Sequence, residues 1–370
     1  MQKLDLLGLV QVVIAKEKVL KKHKNCYKEN YNVQIIPDNC LLDKILFIKK
    51  IKKNYARIIQ YNKNIILDTG IIHAHSWFSD GGVAFKIYKM HRIPYIISIT
   101  NTDLNFFYKY FVHCRSFAEK VLIQAEKIIT YSPAYKEKLL KVIPIKLRDK
   151  IIHKIIILPF GIDEYWTYNG ELVKRVREKS TIKMIQVGEL NFNKNAVASI
   201  EACKILNTRG IDTRLALVGK GKLERVLKMY TWLRGVRGKV DFKGYIADMK
   251  TLKSLILKSD IFILPSFRET FGLSYIEAIS CAIPVIYSKG QGIDGYFQDG
   301  HIGYSVKPSN RWGIVSVILK IMSKHQKISY QAKNSVAAFD WRLISNQYCD
   351  IYENILNINK CNFNLKVRNE

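Results

Sequence analysis

The 370-residue chain predicts an α/β protein made of two doubly wound parallel sheets facing a cleft. Three observations predict it. Short apolar runs alternate with segments of helical period along almost the whole sequence, which is the pattern of βα units around parallel sheets. The alternation stops once, in a polar and highly charged interval over residues 164–180, and then begins again. At roughly 150 residues per domain, the length suits two cores of ordinary size.

In the first half the expected strands are 9–14, 33–37, 70–75, 93–99, 127–131 and 154–158, with helices over 79–90 and 116–124. In the second half the expected strands are 183–187, 214–218, 240–243, 261–264, 284–287 and 303–306. Helices over 195–209, 222–233, 249–259 and 273–281 lie between them, and a last helix spans 341–355. The expected organisation is a Rossmann-like domain over 1–166, a linker over 167–180, a second Rossmann-like domain over 181–338 and a C-terminal helix segment over 339–370. In doubly wound sheets ligands sit beyond the carboxyl ends of the strands, so the strand ends are where chemistry is sought.

Composition narrows the class. The chain is 48% hydrophobic and 25% charged, which excludes wholesale disorder and a fibrous protein. Lys and Arg number 60 against 31 Asp and Glu, a net charge of +29. The excess is +14 up to residue 170 and +15 beyond it, so it is no basic tail. Such a charge suits a membrane surface, a nucleic acid or a phosphorylated substrate. Codon bias toward Lys, Ile and Asn is the plainer explanation. Seven cysteines, widely spaced and without a C-x-x-C pair, argue against a disulfide framework or zinc cluster and for a reducing compartment. No apolar run approaches the ~18–20 residues of a membrane span, and no signal peptide is readable at the start. The expected location is the cytoplasm.

The densest candidate stretch is 265–278, which follows a buried strand and opens a helix. Free N–H groups at a helix mouth make an anion site, and Gly272 permits close backbone approach. Glu269 and Glu277 are eight positions apart. On a helix, at ~1.5 Å per residue, they stand roughly 12 Å apart with similar azimuth. That span matches the distance from hexose to ribose across a sugar diphosphate. Carboxylates accept from vicinal hydroxyls, so one Glu is placed for the hexose and the other for the ribose. A second turn, Gly188 to Lys194, follows the first strand of the second half and sets Lys194 at the next helix to neutralise a phosphate. Gly219 opens a similar turn one strand later.

In the first half, His73 and His75 end a strand and share a face. No third ligand lies nearby, so no metal is expected; one histidine is read as a hydrogen-bonding group and the other as packed. Gly81 and Gly82 open the next helix and suit close approach of a ligand. Asp103, in the polar cluster after the 93–99 strand, reads either as a helix N-cap or as an acceptor-side contact. Segment 44–59 has apolar residues at 45, 48, 51, 55 and 58 with Lys or Arg between them. It reads as a basic amphipathic helix that covers the sheet or lies on an anionic membrane. Aromatic residues are scattered without a stacking motif, so no nucleic-acid partner is expected.

With these residues in place, the sequence resembles the family-four glycosyltransferases of the GT-B fold, most strongly over residues 181–308. The landmarks occur in the family's order: the Gly188-x5-Lys194 turn, Gly219-Lys220-Gly221, Glu269-x7-Glu277 with Phe271-Gly272, Pro284-Val285-Ile286, and Asp299-Gly300 before Gly303. His73-Ala74-His75, Gly81, Pro94-Tyr95 and Gly161-Ile162-Asp163 extend the likeness into the first half. Trp341, Tyr348 and Tyr352 resemble the last helix, which in that fold crosses back to the first domain. The resemblance implies a retaining, metal-independent transferase (EC 2.4, of hexosyltransferase type) that needs no cofactor. Its donor is a nucleotide-sugar held by the second domain, and its acceptor is a glycan or a lipid-linked molecule of cell-surface polysaccharide synthesis. Lys194 is implied at the diphosphate, Glu269 at the donor sugar and Glu277 at the ribose. Gly188, Gly219, Arg268, Phe271 and Gly272 complete the donor side, and His75 or Asp103 faces the reacting centre. Peripheral work at the inner membrane face follows from the acceptor class.

Three departures stand out. Glu189 occupies the place of an Arg in the diphosphate turn, which favours a rival reading as a degenerate protein that binds a nucleotide-sugar or a partner without turnover. Ala282 replaces a usual Gly, a change expected to be minor. The first strand resembles the family's second, so about 35–40 residues of strand, loop and helix are expected to be missing from the N-terminal domain.

Overall fold

The computed structural model describes residues 12–16, 32–36, 47–168 and 181–367. They form two compact units. The first gathers the described residues up to Thr130, Leu139–Leu158 and those from Arg342 onward; the second gathers Tyr131–Lys138 and the described part of Pro159–Trp341. The linker expectation falls mostly outside the described residues, although Glu164–Tyr168 forms a helix, α3 in chain order. Of the expected strand at 9–14, only 12–14 lies within them.

The first unit carries a four-stranded parallel sheet in the order β3 (Ile72–Ala74), β4 (Tyr95–Ile99), β5 (Lys127–Thr130), β6 (Ile155–Ile157). A separate parallel pair, β1 (Val12–Lys16) and β2 (Asn32–Ile36), belongs to the same unit. All five residues of β4 are buried, as expected of a strand covered on both faces. Helix α1 (Phe47–Leu67) contains no Asp or Glu and buries Phe47, Ile51, Asn54, Ile58, Asn62 and Ile66, one stripe at helical period. Its apolar face packs on α2 (Ser79–His91), so covering the fold, and not lying apolar side down on a membrane, is its fate. The outward side keeps lysines such as Lys49, Lys52 and Lys63 exposed. Gly82 explains how the two helices approach, because a Cβ there would stand 2.5 Å from Ile51 Cδ1. This corrects the expectation that Gly81 and Gly82 make room for a ligand: Gly82 makes room for α1.

The second unit is a six-stranded, wholly parallel sheet in the order β12-β11-β10-β7-β8-β9. Its strands are β7 (Ile182–Val187), β8 (Thr213–Val218), β9 (Val240–Gly244), β10 (Ile261–Ile263), β11 (Val285–Ser288) and β12 (Gly303–Val306). The chain steps outward from β7 through β8 to β9, then returns to the other side of β7 for β10 to β12. The strand order therefore reverses between β7 and β10, which pair through Ile261 with Met184 and Phe262 with Ile185. That reversal opens a crevice at the carboxyl ends of these two strands.

Helices α4 (Ala196–Thr208), α5 (Glu224–Leu233), α6 (Met249–Leu257) and α7 (Leu273–Ser280) connect the strands, and α8 (Arg311–Ser323) follows β12. The core joins Met184, Leu215, Leu217, Ile261, Ile263 and Ile286 of the sheet to Ile200, Cys203 and Leu206 of α4 and to Ile314, Ile318 and Ile321 of α8. Glu201 of α4 is buried. It accepts from Arg234 Nε and Nη2 at 2.7 and 2.9 Å, from Tyr230 Oη at 2.7 Å and from Arg311 Nη1 at 3.2 Å. A buried carboxylate tolerates its surroundings only with such partners. Here they pin both neighbouring helices. The helix Trp341–Val367, longer than the sequence suggested, belongs from Arg342 to the first unit, where Tyr352 Oη meets His73 Nδ1 at 2.8 Å.

The Ala282 departure is more than minor. Ala282 follows α7 with φ 58, in the left-handed region that favours Gly, while Ile283 N donates back to Ala278 O. Ala282→Gly is expected to raise unfolding free energy by about 1 kcal/mol in urea titrations, relief of the Cβ strain outweighing Gly's added chain entropy.

Candidate active site

The loops after β7 and β10 meet at the switch point, and backbone bonds lock them together. Phe267 N donates to Asn193 O at 2.8 Å, and Asn193 Nδ2 donates to Arg268 O at 2.8 Å. Asn195, in the left-handed region with φ 51, ties the start of α4 to Pro265 O and Pro308 O through Nδ2. Asn191 Oδ1 accepts from Lys194 N, and Gln186 Nε2 donates to Lys194 O, so the backbone of Lys194 is held on both sides.

From this frame Lys194 Nζ reaches Glu269 Oε2 at 2.5 Å. Both side chains are largely withdrawn from solvent, so each is the other's counter-charge. Ser266 Oγ stands 3.5 Å from the same carboxylate oxygen. The backbone of Glu269 is held too: its N–H donates to Gln291 Oε1 at 3.4 Å and its carbonyl accepts from Gly292 N at 2.9 Å. Gln291 Oε1 also accepts from Tyr135 Oη at 3.0 Å. Ser266, Gln291 and the three asparagines were not singled out from the sequence. The Gly290-x-Gly292 spacing after a buried strand is the signal that marks the Gln291 loop.

Glycines set the approach distances at two places. Gly219 has φ 141, and a Cβ there would lie 2.0 Å from Gly188 O, so the turns after β7 and β8 touch backbone to backbone. Gly272, with φ 88, turns the chain into α7, and a Cβ would meet the Tyr275 ring at 2.5 Å and Glu269 Cγ at 3.2 Å. Glu269 lies in the loop and only Glu277 lies on α7. The helical rise therefore does not set the span between the two carboxylates, as the left-handed turn at Gly272 intervenes.

Glu277 is partly buried, and that burial pushes its carboxyl up to about 7. Arg268 is exposed, and its backbone carbonyl takes part in the loop lock. Phe271 is a core residue packed against Phe160, Tyr296 and Phe339, so it braces the loop from behind. Glu189 is exposed and accepts from Asn191 Nδ2 within its own turn at 2.9 Å.

In the first unit, His73 is held by Tyr352 on one ring nitrogen and by Ser98 Oγ on the other at 2.9 Å. Burial, and then the neighbouring His75, keep its pKa well below the usual value. His75 lies beside it with ring centroids 4.2 Å apart and the rings tilted by 34°, and it is exposed. Among the described residues no three His, Cys, Asp or Glu side chains converge as a metal ligand set. Asp103 is 1% exposed. Its oxygens accept from Trp77 N, Phe78 N, Thr100 N and Thr100 Oγ1 at 2.8–3.1 Å. Burial raises its pKa against the pull of those donors. The carboxylate thus clamps the turn that follows β3, and neither an N-cap nor an open acceptor contact describes it.

Comparison with known proteins fits this architecture. Residues 171–335 match the family described as "Glycosyl transferases group 1". An uncharacterised glycosyltransferase of Methanocaldococcus jannaschii is 25% identical over 297 residues, 76% of this chain and 75% of its own. A GDP-mannose-dependent alpha-(1-6)-phosphatidylinositol dimannoside mannosyltransferase of Mycobacterium tuberculosis is 30% identical over 139 residues, 36% of this chain and 35% of that protein. Among solved structures, Anabaena HepE in complex with UDP superposes with a TM-score of 0.65 at 16% identity, covering 92% of each chain. A glycosyltransferase from Rickettsia africae superposes with a TM-score of 0.64 at 19% identity, covering 96% of this chain and 93% of its own. The fold is GT-B and the protein is a glycosyltransferase. Its residues 171–335 are similar to group 1 of those enzymes.

The Glu277 shift has a measurable sign. A folded-state pKa of about 7, above the ordinary 4.5, means the fold holds that proton. The stability so contributed is full below pH 4.5 and is lost as pH rises to 7. Glu277→Gln, which cannot ionise, is expected to match the parent at pH 4 and to exceed it by about 1–3 kcal/mol at pH 8, at ~1.4 kcal/mol per pKa unit. Urea titrations across that range check it; equal pH slopes in both proteins contradict it.

Proposed function

We propose that this glycosyltransferase moves a sugar, with retention of anomeric configuration, from a nucleotide-sugar to a glycan or lipid-linked acceptor of cell-surface polysaccharide synthesis. The observation that carries the reading is the Lys194–Glu269 pair at the switch point of the second sheet. Lys194 contacts the donor diphosphate, Glu269 the sugar hydroxyls and Glu277 the ribose diol. Gly188, Gly219, Gly272 and Arg268 line the approach. In the first unit Asp103 holds the turn that follows β3, on which His75 stands.

The departing nucleoside diphosphate carries the negative charge that develops as the glycosidic bond breaks. Lys194 and the N–H groups at the mouths of α4 and α7 stabilise that charge in place. A double displacement needs a carboxylate nucleophile about 5 Å from an acid. Glu269 is paired with a cation instead, which favours same-face attack by the acceptor hydroxyl, its proton passing to the leaving phosphate. The net charge of +29 and the class of acceptor support work at the inner face of an anionic membrane. Among the described residues no helix is long and apolar enough to cross one.

A second reading rests on Glu189, an anion in the diphosphate turn that holds no ion pair among the described residues and accepts from Asn191. It makes the protein a binder of nucleotide-sugar without turnover. Calorimetric binding of a nucleoside diphosphate, with no hydrolysis or transfer from any nucleotide-sugar, is its signature.

The test is a thermal-shift screen of nucleotide-sugars, followed by transfer assays with a membrane lipid extract. Lys194→Ala and Glu269→Ala are each expected to lower turnover by about 100-fold or more. Proton NMR of the product is expected to show the donor's anomeric configuration. An inverted anomer, or full activity in either variant, overturns the mechanism.

A further inference from the structure

Helix α5 is apolar on two opposite sides. Its inner side buries Leu227 and Thr231, and Glu201 pins it there through Tyr230 and Arg234. At ~100° per residue, Val226, Met229 and Leu233 share the opposite side, with Trp232 next to them. These four are 52, 58, 62 and 63% exposed. On the same wheel Arg225 falls between Trp232 and Met229, about one turn toward the start of the helix, and an outward side with this much exposed apolar surface marks an interaction surface.

The surroundings are cationic. Between residues 220 and 243 there are eight Lys and Arg against Glu224 and Asp241. Lys228, Arg234, Lys239 and Lys243 hold ion pairs with Glu224, Glu201, Asp212 and Asp241. Lys222, Arg225 and Arg237 hold no ion pair among the described residues, and Lys220 acts on Glu224 through space. Lys228 Nζ also sits 5.5 Å from the Phe242 ring, tying the helix to the edge strand β9.

We infer that the outer side of α5 is a docking surface for an anionic lipid bilayer. Trp232, Met229, Val226 and Leu233 enter the boundary between headgroups and acyl chains, and Lys222 and Arg225 meet lipid phosphates. An apolar stripe with Trp, flanked by Lys and Arg, is the chemistry of an interfacial helix. A second copy of this chain is a poorer occupant. A twofold contact through this patch sets one unpaired cationic rim against its duplicate. The inference deepens the membrane side of the proposed function and does not depend on its sugar chemistry.

The test is co-sedimentation of the full chain with vesicles of phosphatidylcholine, with and without 30% phosphatidylglycerol, for the parent and a Met229→Ser/Trp232→Ser variant. Circular dichroism is used to confirm that the variant is folded. The parent is expected to bind the anionic vesicles, and the variant at least about tenfold more weakly. Brominated lipid is expected to quench a fluorescence component that Trp232→Phe removes. Equal binding by parent and variant, or no binding by the parent, overturns the inference. So does a lipid-free dimer in sedimentation velocity that the variant abolishes, since that makes a second copy the occupant. No arm reads sugar transfer, so failure here leaves Lys194 and Glu269 in their roles.

Discussion

The ion pair between Lys194 and Glu269 is the constraint on which the second unit's site depends. Each charge stands on a loop at the end of a central strand, and each is largely out of water. A lone ammonium or carboxylate in that place is expensive to desolvate, so neither loop keeps its charged side chain inward without the other. The backbone bonds from Phe267 and Asn193, the left-handed Asn195 and the Gln291 contact all maintain the register that lets the pair form.

The pair also defines what a ligand must bring. On the proposed reading, a diphosphate competes with Glu269 for the lysine, and the sugar hydroxyls replace the lysine at the carboxylate. A nucleotide-sugar satisfies both ends at once. A bare nucleoside diphosphate satisfies the lysine and leaves the carboxylate without its cation. That difference favours release of the product after the sugar has left, with no moving lid required.

Much of this was legible in the sequence, because the signals were local. Gly188, Gly219 and Gly272 announced turns after strands, and buried runs such as β4 and β10 have no alternative fate. The Glu269-x7-Glu277 spacing singled out two carboxylates for the proposed site, though not their geometry, since the left-handed turn at Gly272 lies between them. What escaped the sequence is long-range. Asp103 collects donors from residues 77 and 78 as well as from Thr100, and only the folded turn shows it as a clamp. Phe271 reads as a motif residue, yet three aromatic neighbours distant in sequence make it core. Of the apolar stripe expected on α1, 51 and 58 are buried, 48 and 55 yield the inner side to Phe47 and Asn54, and 45 lies outside the described residues; the membrane alternative gives way to packing on α2. The outer stripe of α5 was hidden because its residues satisfy a helical period on either side.

Isothermal titration of a nucleoside diphosphate and of its nucleotide-sugar into the parent, Lys194→Ala and Glu269→Gln tests the central claim most directly. Lys194→Ala is expected to weaken both ligands. Glu269→Gln, by freeing the lysine, is expected to leave the bare diphosphate bound as well or more tightly while weakening the nucleotide-sugar. If Glu269→Gln weakens both ligands equally, or Lys194→Ala weakens neither, the pair is a structural strut and the account of the site is wrong.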